Sequence, residues 1–239
     1  MRITDFGVVL GWSRAHVIDS PSVDQVLHAG VPRVAVDRAL LERLLHDQPP
    51  PEMVLPLLSS PAVEAARAAI LYLGAVGSMR ECPVLALYLQ HDDAGLAELA
   101  EYSLWSIWMQ AGTARSNRRL SEAIGDIKHG QYRLAATRLA ELVGQEPSFA
   151  EAHFQRGLAL ALLERFDEAA SAYREALRLN PYHFAAAAAW GHASVEEGQL
   201  GAALHHYRQA LRVHPRLPAL PGAVRALEAV VEPWKKVAS

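Results

Sequence analysis

Apolar residues fall at helical spacing along most of this chain. Leu40, Leu41, Leu44 and Leu45 make one stripe, which Pro49, Pro50 and Pro51 stop because proline cannot donate to the helical ladder. Ahead of it, Ser20 and Pro21 open a short predicted helix with Val23, Val26 and Leu27 on one face, closed by Gly30 and Pro32. Residues 1–18 carry no sustained period, and the segment from Phe6 to Trp12 reads as a short strand or an extended arm lying on the first helices. From 51 to 112 a correspondence appears at an offset of 31, pairing Leu58 with Leu89, Ala69 with Ala100 and Leu73 with Leu104. One helix is expected to end at Leu73-Gly74, a turn to contain Gly77, and a second helix to carry Val84, Leu85, Tyr88 and Leu89. Ala94 to Gln110 should be the longest helix of this half, ending at Gly112, with Tyr102, Trp105 and Trp108 as core or junction residues.

The second half has a longer and stricter period. Pro147, Pro181 and Pro215 are spaced by 34 residues, and the blocks they close align without slippage. Ala123, Gly157 and Gly191 form one column, and Ala135, Ala169 and Ala203 another. Small residues in both let two antiparallel helices approach closely, and a bulky one would overpack the contact by about 1–3 kcal/mol. Leu139, Tyr173 and Tyr207 supply one large residue per block on the inner side of the second helix. Where the first helix turns into the second stand Gly130, Glu164 and Gly198, at a place that favours the left-handed conformation. After Pro215, one more amphipathic helix is expected to cap the array, with Val224, Leu227, Val230 and Val231 facing inward.

These columns resemble the tetratricopeptide repeat, a pair of antiparallel helices with small residues at its eighth and twentieth positions and proline at its thirty-second. The chain departs from that pattern at the fourth position, with His153 and Ala187, and at the seventh, with Arg156 and Trp190. The earlier region resembles short HEAT-type repeats of the kind related to phycobilisome lyases. Arg67-Ala68-Ala69, Leu73-Gly74, Ala75-Val76-Gly77 and Cys82-Pro83 carry that likeness. The fold class expected is all-α, an α-solenoid of antiparallel helix pairs. Its parts would be an N-terminal arm with one short helix (1–32), HEAT-like repeats (33–113), three tetratricopeptide-like repeats (116–217) and a capping helix (218–235).

Composition leaves this picture standing and narrows the chemistry. Of 239 residues, 51% are hydrophobic and 21% charged, which suits a buried core. A net charge of −3 gives no general footprint for nucleic acid, and Arg115, Arg118 and Arg119 read as a solvated face. Cys82 is the single cysteine, so an intrachain disulfide or multi-cysteine zinc site is excluded and a reducing, cytoplasmic setting is expected. No apolar run is long enough to insert in a membrane, and Asp5 before the Phe6–Trp12 segment, with no A-x-A behind it, argues against a signal peptide. No nucleophile elbow, phosphate loop or H-E-x-x-H motif is present. His91-Asp92-Asp93 reads as a helix cap, and His205 and His206 diverge by about 100° on a helix, too far to share an ion. Neither catalytic residues, metal ligands nor a cofactor are expected.

The resemblance implies a groove lined by the first helix of each pair. Carried onto this chain, its binding residues are Leu120, Ile124, Phe154, Gln155, Leu158, Leu162, Ala188 and His192. The positions where chaperone-binding members clamp a carboxylate hold Leu120, Ile124, Gln155, Ala185 and Ala189, so that clamp is missing. What remains is an apolar trough suited to a helix or extended peptide of a partner protein. The alternative for these residues is intramolecular core, with the chain's own arm or capping helix filling the trough. The function expected is a non-catalytic scaffold or adaptor; the alternatives are a HEAT-type lyase and a self-assembling solenoid.

Overall fold

The computed structural model describes residue 32 and residues 34–232. The N-terminal arm and the short helix after Ser20 lie outside the described residues. Within them the regular elements are all helical: α1 (Arg38–Asp47), α2 (Pro51–Val54), α3 (Val63–Val76), α4 (Cys82–Tyr88), α5 (Ala94–Met109), α6 (Ala114–Lys128), α7 (Tyr132–Gln145), α8 (Ala150–Ala161), α9 (Phe166–Leu179), α10 (Phe184–Glu196), α11 (Leu200–Val213) and α12 (Leu220–Val231), with a 3-10 turn at Leu55–Ser59. The expected all-α class is what the chain adopts. It divides between Asn117 and Arg118 into two compact units.

The unit ending at Asn117 is built on α3 and α5, which pack along one another and begin 31 residues apart in sequence, at Val63 and Ala94. All six residues paired by that offset (Leu58 and Leu89, Ala69 and Ala100, Leu73 and Leu104) are buried. The helices nearly touch by backbone: a Cβ added to Gly74 would come within 2.8 Å of the Ser103 Cα, so glycine is required at this crossing. Beside it the Ser103 hydroxyl donates to the Ile70 carbonyl at 2.9 Å. α3 runs past the expected end at Leu73-Gly74 to Val76, and Gly77 caps it. α1 ends one residue before Gln48, which takes a left-handed φ of 46°, and Pro51 then starts α2 at the first helical position, where its missing N–H costs nothing. Arg67 ties three segments together, donating to both carboxylate oxygens of Asp93 at 3.0 Å and to the Ala35 carbonyl at 3.0 Å. Asp93 in turn caps α5 by accepting the Leu96 N–H at 2.8 Å. Trp105 and Trp108 are buried, with their rings edge to face at 5.2 Å.

In the unit beginning at Arg118, α8 packs with α9 and α10 with α11, α12 follows on α11, and α6 is joined to α7 by the ion pairs Arg119–Glu141 at 2.8 Å and Arg138–Asp126 at 2.9 Å. Adjacent pairs meet where α7 packs on α8 and α9 on α10. Inside the second pair, a Cβ on Gly157 would lie 2.6 Å from Tyr173 Cε1, and inside the third, one on Gly191 would lie 2.4 Å from Tyr207 Cδ1. In the first pair the same columns hold Ala123 and Leu139, both fully buried. The small column therefore answers the large one: glycine accompanies tyrosine, and alanine accompanies the slimmer leucine. The turns follow the expected conformation, with φ of 74° at Gly130, 60° at Glu164 and 73° at Gly198. α12 buries Leu220 and Val224 and is fastened to α11 by Arg208, whose guanidinium reaches Glu228 at 2.7 Å and Glu232 at 3.2 Å. Val230, expected to face inward, is instead 63% exposed. Among the described residues the 12-residue helix packs chiefly on α11, which covers a narrower arc than four valine and leucine positions span.

Candidate functional site

The first helices of the three pairs are α6, α8 and α10, and they carry the eight residues assigned to the groove. Leu120 and Ile124 lie on α6, Phe154, Gln155 and Leu158 on α8, Leu162 at the C-cap of α8, and Ala188 and His192 on α10. Six of the eight are at most 5% exposed; Leu162 and His192 are half-buried. α8 also touches α10 directly, so the first helices of the second and third pairs adjoin.

Phe154 is a packing residue of the array, its ring centroid 4.6 Å from that of His183 and 6.3 Å from that of Tyr173. Around it lies a polar cluster that spacing alone did not reveal. Gln155 Nε2 donates to Glu151 Oε1 at 2.7 Å, and Glu151 Oε2 stands 3.0 Å from His183 Nε2, with both of those side chains completely buried. His183 also caps α10, its Nδ1 accepting the Ala186 N–H at 3.2 Å. With Nδ1 engaged as acceptor, the imidazole proton belongs on Nε2, where it is donated to Glu151. The cluster joins the start of α8 to the start of α10 across one full repeat. Complete burial suits it to positioning these helices and keeps a reactant from reaching the carboxylate. The only sequence signal for it was an acidic residue followed four positions later by glutamine on a face otherwise apolar.

His192 belongs to a separate pair, in which Tyr207 OH and His192 Nδ1 share a hydrogen bond of 2.6 Å. Burial lowers the His192 pKa from 6.5 to about 4, which keeps the imidazole uncharged near neutral pH. Elsewhere, Asp93 caps a helix as expected of the His91-Asp92-Asp93 stretch, and His91 stacks on Tyr88 at 5.7 Å. His205 is exposed while its neighbour His206 is buried against Trp190, the two imidazoles meeting edge to face at 5.1 Å. Arg119 pairs with Glu141 at 2.8 Å, while Arg115 and Arg118 are exposed. Among the described residues no group of three or more His, Cys, Asp or Glu side chains could hold a metal ion, and no helix is long and apolar enough to cross a membrane.

Stacked helix pairs at a 34-residue period, with glycine set against tyrosine inside the pair, meet the geometry that the repeat columns require. Residues 120–184 match the tetratricopeptide repeat family. The matched tetratricopeptide span takes in most of the first pair, all of the second and the first residue of α10. No curated protein matches the chain. Tetratricopeptide repeats are generally protein-interaction modules, which supports a scaffold role for the matched region.

Proposed function

We propose that this protein is a non-catalytic scaffold or adaptor that takes a peptide or helix of a partner protein along the first-helix faces of its tetratricopeptide array. The observation that carries the reading is the family match over 120–184, falling on helix pairs of which the second and third pack against one another. The groove is proposed to follow the faces that carry Leu120, Ile124, Phe154, Gln155, Leu158, Leu162, Ala188 and His192, with the buried six beneath its surface and Phe154 packed inside the array. Leu162 and His192 are the most accessible of them and the natural points of first approach. The region 33–113 we read as HEAT-like repeats, on the support of the 31-residue offset between α3 and α5 and the burial of every residue it pairs. A single buried, unpaired Cys82 suits the reducing conditions of the cytoplasm.

The test is affinity purification of the wild-type chain and a Leu162→Glu variant, followed by mass spectrometry. A half-buried position tolerates the charge, so the variant should stay folded by circular dichroism and lose a protein that the wild type retains. A folded variant that keeps every wild-type interactor would remove the groove from consideration. Phe154→Glu is the wrong probe for this purpose, because a carboxylate forced against Tyr173 and His183 would unfold the pair.

A further inference from the structure

Between the first and second helix pairs of the array lies a cleft of about 500 Å³ that none of the eight groove residues lines. Arg133 on α7, Arg156 on α8 and Arg165 just before α9 surround it. Its apolar wall is made by Ala136, Ala140, Leu160 and Leu163. No carboxylate is among the lining residues. Glu168 is engaged by Arg165 through two contacts of 2.7 Å. Arg133 and Arg156 make no side-chain hydrogen bond or ion pair with the described residues, which leaves two guanidinium forks facing an apolar pocket.

The next interface shows that this cleft is not a by-product of the repeat. Thirty-four residues on, Arg133, Ala140 and Arg156 are replaced by Asp167, Arg174 and Trp190. There the indole of Trp190 stacks on His206 at 3.8 Å, and the Arg174 guanidinium sits 5.8 Å from the ring centroid. An aromatic ring and the cation over it occupy at the second interface the columns that alanine and arginine hold at the first. The first interface thus has room together with two guanidinium groups, Arg133 and Arg156, that no hydrogen bond or ion pair among the described residues holds.

We propose that this cleft binds a small organic oxyanion, a phosphate or carboxylate carried on an apolar body. Guanidinium forks match the paired oxygens of either group, and the alanine and leucine wall accepts the body. The volume falls within the range of roughly 300–1,000 Å³ typical of small-molecule sites. The site is separate from the proposed groove, and either can fail without the other.

Isothermal titration of the full chain at low ionic strength, with phenyl phosphate, benzoate, benzyl alcohol and inorganic phosphate as probes, tests it. Phenyl phosphate or benzoate should bind once per chain and more tightly than inorganic phosphate, the comparison between the two showing which oxyanion is preferred, and benzyl alcohol should not bind. The double variant Arg133→Gln with Arg156→Gln should weaken the preferred probe about tenfold or more. Ala140→Trp, at an exposed position, should block the cleft with all three arginines intact. Binding of neither anion, inorganic phosphate as tight as phenyl phosphate, or affinity unchanged in the double variant overturns the proposal.

Discussion

Glu164 holds a conformation that its counterparts Gly130 and Gly198 reach without a Cβ, with φ at 60°. A non-glycine residue there carries a strain of about 1–2 kcal/mol, partly offset by the backbone freedom that glycine loses on folding. Glu164→Gly should therefore raise the melting temperature by about 2 °C in a thermal scan, and a lower value would contradict the strain. The two columnar tyrosines invite a sharper comparison. Tyr207 OH is hydrogen-bonded to His192, whereas Tyr173 OH is buried with no partner among the described residues, and burial pushes its pKa up. Removing a satisfied hydroxyl costs about 1 kcal/mol, while removing an orphan is neutral or stabilising. Tyr207→Phe should then lower the urea midpoint, and Tyr173→Phe should leave it unchanged or raise it; equal losses would refute the assignment. The small and large columns stood out in the sequence because they recur at a fixed offset. The differing fates of two like hydroxyls did not, since each depends on what a neighbouring helix presents to it.

At the level of elements, the junction of α3 with the start of α5 rests on Arg67. Its bidentate contact to Asp93 is partly buried, with side-chain exposures of 14% and 32%, and the same carboxylate caps α5. Bonding to the Leu96 N–H, and then to Arg67, holds the Asp93 carboxyl below its ordinary range. Arg67→Met should cost roughly 1.5–3 kcal/mol in urea denaturation. Asp93→Asn, which keeps a capping oxygen but loses the charge pair, should fall between that variant and the wild type. The cap was visible in the sequence as a short acidic stretch before an apolar helix. Arg67 as its partner was not, because 26 residues separate the two and only the packing of α3 brings them together.

For the whole molecule, acid is the expected weakness of the unit that begins at Arg118. Burial lowers the pKa of His192 and of His206 from 6.5 to about 4, and His153 shifts the same way for the same reason. Each is neutral when folded and takes up a proton more readily when unfolded. Their contribution is therefore complete above the unfolded value near 6.5 and is lost as pH falls toward 4, with His192 alone accounting for about 2–3 kcal/mol. Unfolding free energy should decline across that window, and His206→Phe, which keeps a ring against Trp190, should flatten the slope. A profile level from pH 7 to 4.5 would refute the coupling. The eleven histidines were apparent from composition, but which of them are buried was not.

What the sequence determined by itself was everything that repeats at a constant offset: the helical class, the 34-residue period, the glycine, alanine and tyrosine columns and the left-handed turns. Stacking identical units imposes the same steric demand at the same position each time, so the demand is written in one dimension. Tertiary structure alone decided what happens where the repeats differ. It sank Glu151 beside His183, buried Phe154 between rings, exposed Val230 and opened a cleft where Arg156 stands in the column of Trp190. These outcomes depend on side chains meeting across neighbouring helices, and their distances follow from packing rather than from spacing along the chain.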